Sequence, residues 1–177
     1  MLAHYDAPFP SFVAAFEPAR ALACLADVAQ LEWLRVQAYH AADAQPLAPE
    51  RIARALAEPA CLPAARMTLH PSAATLASRY AIVSLSAAHQ GIGELGDVDP
   101  HCAERALVLR SALEVDVLRL DPGAASFVAS LARGSAFGEA AAEACAAHAT
   151  FDFAATLAIL IRAGAIIDLH LPGSPPS

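Results

Sequence analysis

The longest helical pattern in the chain runs from Ala19 to Ala41. There Leu22, Leu25, Ala29, Trp33, Val36 and His40 recur every three or four positions, with Asp27, Glu32 and Arg35 off that stripe. The spacing predicts one long amphipathic helix as the spine of the first half. Ahead of it, Pro8-Phe9-Pro10-Ser11 offers a turn and a serine cap for a short helix through Phe16, stopped by Pro18. Asp43 to Pro49 reads as a turn. Pro49 to Ala57 reads as a short helix with proline near its first position and Pro59 and Pro63 beyond its end. Arg66 to Leu69 is short and fits no single period; His70-Pro71-Ser72 then forces extended geometry before a possible cap and helix. Ala81 to His89 is apolar and open to either helix or strand.

After the loop from Gly91 to Pro100 the period changes. Leu107 and Leu109, then Leu113, Val115, Val117 and Leu120, include alternating apolar positions interrupted at Arg110-Ser111-Ala112, which predicts two strands joined by a tight connection. Three helical segments follow, 123–132, 136–147 and 152–163, parted by Arg133-Gly134-Ser135 and by Ala149-Thr150-Phe151. An apolar strand, Ala165 to Leu171, comes last. Strand, strand, helix, helix, helix, strand is the order of a winged-helix-like module. The expectation is therefore an α+β chain with a helical part over 1–103, a winged-helix-like domain over 104–171 and a loose tail over 172–177.

Composition narrows the functional classes. Alanine supplies 46 residues and lysine none, so much of the apolar content is helix scaffold rather than packing bulk. The net charge of -7 is uneven: residues 1–89 carry seven acids and six arginines, whereas 90–177 carry eleven acids and five arginines. The second half should repel phosphate. No basic stretch precedes an apolar run at the start, and the most apolar segment, Phe153 to Ile161, meets Arg162 far short of a membrane span, so a cytoplasmic protein with no membrane partner is expected. Cys24, Cys61, Cys102 and Cys145 are widely spaced, with no C-x-x-C pair, and read as buried small hydrophobes.

The candidate chemical motifs are weak. Gly91-Ile92-Gly93-Glu94-Leu95-Gly96 spells a dinucleotide loop, but Asp97, Asp99 and Pro100 stand where the phosphate-binding helix should run. Glu32 and His40 lie eight positions apart, two turns along one helix, too far to share a metal without a ligand from elsewhere, and there is no H-x-x-H. No serine or cysteine sits in a nucleophile arrangement; Glu143 near Cys145 and His148 would raise that thiol rather than activate it. A winged module invites DNA, yet 121–171 holds five acids and two arginines, the wrong sign for phosphate contacts. The residues thus predict no enzyme, no metal and no cofactor, with a DNA-binding winged helix as the alternative.

Several strings together resemble one bacterial family. They are Tyr5-Asp-Ala-Pro-Phe9-Pro10-Ser-Phe12; Leu31-Glu32-Trp33 with Ala38-Tyr39-His40-Ala41 and Asp43-Ala-Gln-Pro46-Leu47; Leu69-His70-Pro71-Ser72; Glu114-Val115-Asp116-Val117-Leu118-Arg119-Leu120; and Phe127-Val-Ala-Ser-Leu131-Ala-Arg-Gly134 with Ala163-Gly164-Ala-Ile. In this the chain is similar to the HvfC/BufC-type peptide-modification chaperones, once labelled a DNA-binding domain of unknown function and distantly related to the accessory subunit of the methanobactin peptide oxidase. Members usually carry a helical domain before the Phe-Pro-Ser-Phe string, a domain this sequence is expected to lack, and a tryptophan in the segment held here by Ser84-Leu85-Ser86-Ala87.

The resemblance implies a non-catalytic partner of a multinuclear iron oxidase that modifies cysteines in a small ribosomal precursor peptide, the iron ligands belonging to the oxidase. An extended peptide could add to an open sheet edge at Glu114, Val115, Asp116, Val117 and Leu118 and fill a groove beside the helix carrying Phe153 and Leu157. Glu32, Trp33, Tyr39, His40 and His70 are the expected contacts to the oxidase, although Trp33 reads more readily as core.

Overall fold

The computed structural model describes residues 9–171. In chain order the elements are α1 (Phe9–Ala15), α2 (Leu25–His40), α3 (Pro49–Leu56), β1 (Arg66–Leu69), β2 (Ala74–Ser78), α4 (Ile82–His89), β3 (Glu104–Ser111), β4 (Glu114–Arg119), α5 (Pro122–Ala132), α6 (Phe137–Ala147), α7 (Phe153–Arg162) and β5 (Ile166–His170). The chain is α+β, with two antiparallel sheets ordered β1-β5 and β2-β3-β4. Residues 172–177, expected to be a loose tail, lie outside the described residues.

The structure divides into two units that interleave along the sequence: Met1–Ala41 with Ala74–Leu120, and Ala42–Ala73 with Asp121–Ser177. This differs from a single boundary at 103/104. The expected 104–171 winged-helix-like module is not one body, because β3 and β4 belong to the first unit while α5, α6, α7 and β5 belong to the second. The cause is strand pairing over long sequence separations. β3 takes β2 on one side as well as β4 on the other, and β5 takes β1. The helix considered possible after Ser72 is instead β2, since the ladder from Ala74↔Val108 to Ser78↔Glu104 overrides the helical bias of its two alanines.

In the first unit α2 lies against the β2-β3-β4 sheet. Leu31, Ala38, Tyr80, Ile82, Ala106 and Val108 form the buried core, with Val28, Leu34, Val115 and Val117 packed around it. Helix α2 begins at Leu25 rather than Ala19: Pro18 lies in a 3-10 turn, Glu17–Ala19, and successive tight turns bond Leu22 N to the Ala19 carbonyl and Leu25 N to the Leu22 carbonyl. Arg110 of β3 donates to the Tyr39 and Ala41 carbonyls at 2.9 and 3.0 Å, satisfying the end of α2 with a cation where the helix dipole favours one.

In the second unit α5, α6 and α7 enclose an aromatic cluster in which the ring of Phe127 stands 5.7 Å from those of Phe137, Phe151 and Phe153. Helices α5 and α7 both end in a left-handed glycine, Gly134 (φ 82°) and Gly164 (φ 66°). In each, the next residue's amide bonds back across the last turn, Ser135 N to the Ser130 carbonyl and Ala165 N to the Leu160 carbonyl. Gly138 of α6 passes so close to Pro63 that a Cβ there would lie 2.9 Å from the Pro63 carbonyl oxygen.

Candidate functional site

Helix α2 carries two apolar stripes. Val28, Leu31, Leu34 and Ala38 face the sheet and are consumed by the core. The second, Ala29, Trp33, Val36 and His40, buries only its first half: Ala29 and Trp33 are buried, whereas Val36 is 39% exposed and His40 is exposed. Along this second stripe runs a groove of about 410 Å³ lined by Glu32, Arg35, Val36, Tyr39, His40 and, from β4, Val115. A smaller apolar depression of about 270 Å³ adjoins it, lined by Phe9, Ala29, Glu32, Trp33 and Val36.

Hydrogen bonds tie two of the residues that line the groove. Arg35 Nη1 donates to both carboxylate oxygens of Glu32, at 2.9 and 3.1 Å, and Ser86 Oγ donates to Glu32 Oε1 at 3.0 Å, itself accepting from Gln90 Nε2 at 3.1 Å. Arg35 Nε is the one buried side-chain polar atom without a partner among the described residues. At the rim the Tyr39 and His40 rings meet edge to face, with centroids 5.1 Å apart, and Tyr39 is 57% exposed.

Beside the groove, β4 is an edge strand, and no described strand pairs with its outer side. Its pairing shows which amides face outward. Residues Ser111 and Glu114 flank a two-residue turn, and Leu120 N bonds the Arg105 carbonyl at 2.8 Å, so the even-numbered residues 114, 116, 118 and 120 point their amides at β3. The amides and carbonyls of Val115 and Val117 are therefore directed to the open side. Their side chains, together with Arg119, lie on the α2 face; Glu114, Asp116 and Leu118 project on the other, where both acids are exposed.

One carboxylate organises the far end of this unit. Glu104 is buried and accepts from Val83 N (2.8 Å), Ser84 N (3.0 Å), the Ser84 hydroxyl and Arg119 Nη1 (3.3 Å), so it caps the start of α4 from a strand distant in sequence. Burial pushes its pKa up; the Ser84 hydroxyl and amide, the Arg119 guanidinium and the Val83 amide outweigh that and hold it below the ordinary carboxylate value.

Of the residues singled out from sequence, the structure brings Glu32, Tyr39, His40 and Val115 to one groove, with Trp33 in the adjoining depression and Glu114, Asp116, Val117 and Leu118 on the neighbouring strand. It does not bring the others there. Phe153 belongs to the aromatic cluster and Leu157 is buried, both in the second unit. His70 is also in that unit and is buried: its Nδ1 accepts from Ser72 N and lies 2.7 Å from Ser72 Oγ, and its carbonyl closes a turn with Ala73 N. It is a turn residue rather than a contact surface. Arg35 and Val36 were not anticipated in the groove, although they stand one turn from Glu32 on one side and from Tyr39 and His40 on the other.

Two further expectations change. Cys102 and Cys145 are exposed rather than buried, while Cys24 and Cys61 are half-buried. Gly91 closes α4 and Gly96 lies in a single 3-10 turn, Leu95–Asp97, so the glycine string opens no helix. Among the described residues no cluster of three or more His, Cys, Asp or Glu could hold a metal, and no helix is long and apolar enough to cross a membrane. No protein-family model matches the chain, and no curated protein matches it.

Proposed function

We propose that this protein is a non-catalytic accessory subunit that holds an extended peptide on the open edge of β4 and presents it to a partner enzyme. The observation that carries this reading is the coincidence of an unpaired strand edge with a preformed groove: Val115 contributes its backbone to the first and its side chain to the second. Strand addition draws affinity from main-chain hydrogen bonds and selectivity from pockets for alternate side chains, and the two requirements meet here within one short stretch. The resemblance to the HvfC/BufC-type chaperones supplies the fuller proposal: a cytoplasmic protein, a Cys-containing ribosomal precursor peptide as cargo and a multinuclear iron oxidase as the enzyme. Exposed Tyr39 and His40 on the groove rim are the contacts we assign to that enzyme or to the peptide's far end. The winged-helix likeness, in this reading, concerns only the second unit, where α5, α6 and α7 accompany the β1-β5 pair.

The test is Val117→Pro. The outward amide of Val117 makes no ladder bond, so proline on this edge should leave the fold standing while deleting a donor that an added strand needs. Co-purification of precursor peptide with the co-expressed protein and oxidase should be lost in this variant while tryptophan fluorescence still reports a folded first unit. Undiminished co-purification of peptide by the folded variant would overturn the reading.

A further inference from the structure

Two faces of β4 differ in chemistry, and that difference specifies the cargo. A strand added to the edge would place every second side chain on the α2 face, against the groove formed by Val36, Tyr39 and Val115. Its intervening side chains would stand opposite Glu114 and Asp116, two exposed acids for which no ion pair is found among the described residues. On the α2 face the corresponding charges are already paired, Glu32 with Arg35 and Arg119 with Glu104. We infer that the β4 edge selects an extended segment that alternates apolar and basic side chains, the apolar ones entering the α2 groove and the basic ones pairing with Glu114 and Asp116. The inference rests on the strand-addition reading above and deepens it from a peptide to a peptide of stated pattern.

A second copy of this chain is a poorer occupant. Antiparallel pairing across an open edge must match outward-facing residues with one another. One such register sets Val117 against its own copy and Val115 against Arg119; the next sets Asp116 against Asp116, where like charges directly opposite are destabilising. Neither gives both acids a cation.

The experiment uses the full chain and short labelled synthetic peptides read by fluorescence anisotropy. One peptide alternates valine and arginine, one alternates valine and glutamate, and one has the first peptide's composition with its valines and arginines in separate blocks. The alternating Val–Arg peptide should bind roughly tenfold or more tightly than the Val–Glu peptide, as two cross-strand charge pairs change sign. It should also bind more tightly than the block peptide of equal charge. Glu114→Gln with Asp116→Asn should abolish the preference for arginine. N-methylation of alternate amides in the Val–Arg peptide should abolish binding in one phase and leave it in the other, a test of strand addition that does not depend on any protein variant folding. Equal binding of the Val–Arg and Val–Glu peptides, with the phase effect intact, would overturn the inference and leave the strand-addition reading. Equal binding of the alternating and block peptides would show mere charge attraction and overturn the inference. Insensitivity to both methylation phases, or no binding by any peptide, would overturn the strand-addition reading with it.

Discussion

Removing the Glu104 carboxylate should unfold the first unit at a markedly lower temperature, and the part of the effect that comes from its charge should fade in acid. Glu104 is buried and serves four donors: the Val83 and Ser84 amides at the open end of α4, the Ser84 hydroxyl, and Arg119. Hydrogen bonds to a charged acceptor contribute about 1.5–3 kcal/mol each when measured by deletion, though they are not additive within one network. In Glu104→Ala water can re-enter and recover part of the loss, so about 3 kcal/mol is expected. Glu104→Gln keeps the shape but turns an NH2 group toward donors, for about 2 kcal/mol. For a chain of this size those values correspond to Tm decreases of about 6–12 °C and 4–8 °C.

Trp33 is the chain's one tryptophan and lies in the first unit, so its fluorescence reports on the state of that unit. Because the folded pKa of Glu104 lies below its ordinary value of 4.5, the unfolded chain takes up the proton first on acidification. The stabilisation is thus complete above the unfolded value and is lost as pH falls from there through the folded value. The Tm gap between native protein and Glu104→Gln should be constant near neutrality and narrow as pH falls below that ordinary value and through the folded one. A gap that persists unchanged into that range, or a Glu104→Ala variant melting with the native protein, would refute this account of the carboxylate.

Three further outcomes follow from local geometry. Ala112, at the first position of the two-residue β3-β4 turn, has φ 55° where glycine is favoured, so Ala112→Gly should raise first-unit stability by about 0.5–1 kcal/mol, read as a higher urea midpoint by Trp33 fluorescence. Gly138→Ala, a change that helix propensity alone would favour, should instead destabilise the second unit by about 1–3 kcal/mol, because the new methyl meets Pro63 backbone atoms at 2.9–3.0 Å; far-UV circular dichroism of thermal unfolding checks it. Trp33→Ala should cost about 3–5 kcal/mol as a core deletion, whereas Tyr39→Ala on the exposed rim should stay within about 0.5 kcal/mol of native by chemical denaturation and weaken partner capture instead.

The C-terminal helices were legible because their ends are written locally. Asp152 accepts from Ala155 N at 2.9 Å as a cap, and Gly134 and Gly164 stop their helices in the left-handed conformation, so the boundaries read from sequence fall within a residue of α5, α6 and α7. Strand partners are not written locally. Nothing in Ala74-Thr-Leu-Ala-Ser announces that it will pair with 104–108, and β5 gives no sign of choosing β1. The domain division went with those ladders. The stripe on α2 was read as the apolar face of a single spine helix, with Trp33 and His40 also offered as partner contacts, because periodicity cannot tell which of two apolar faces a sheet will cover.

That second face explains why a site arises here at all. A helix with one apolar stripe closes against its sheet and leaves nothing open, whereas α2 spends Leu31 and Ala38 on the sheet and still has Val36 and Tyr39 to offer. The β3-β4 turn then decides what the neighbouring strand presents. Pairing Ser111 with Glu114 across Ala112-Leu113 turns the amides of Val115 and Val117 outward and puts their side chains toward α2. Shifting that pairing by one residue would exchange both sets at once, turning Glu114 and Asp116 toward the groove and their amides outward. The turn is accordingly the control point of the candidate site, because both the open edge and its charge pattern depend on the register it sets across Ala112 and Leu113.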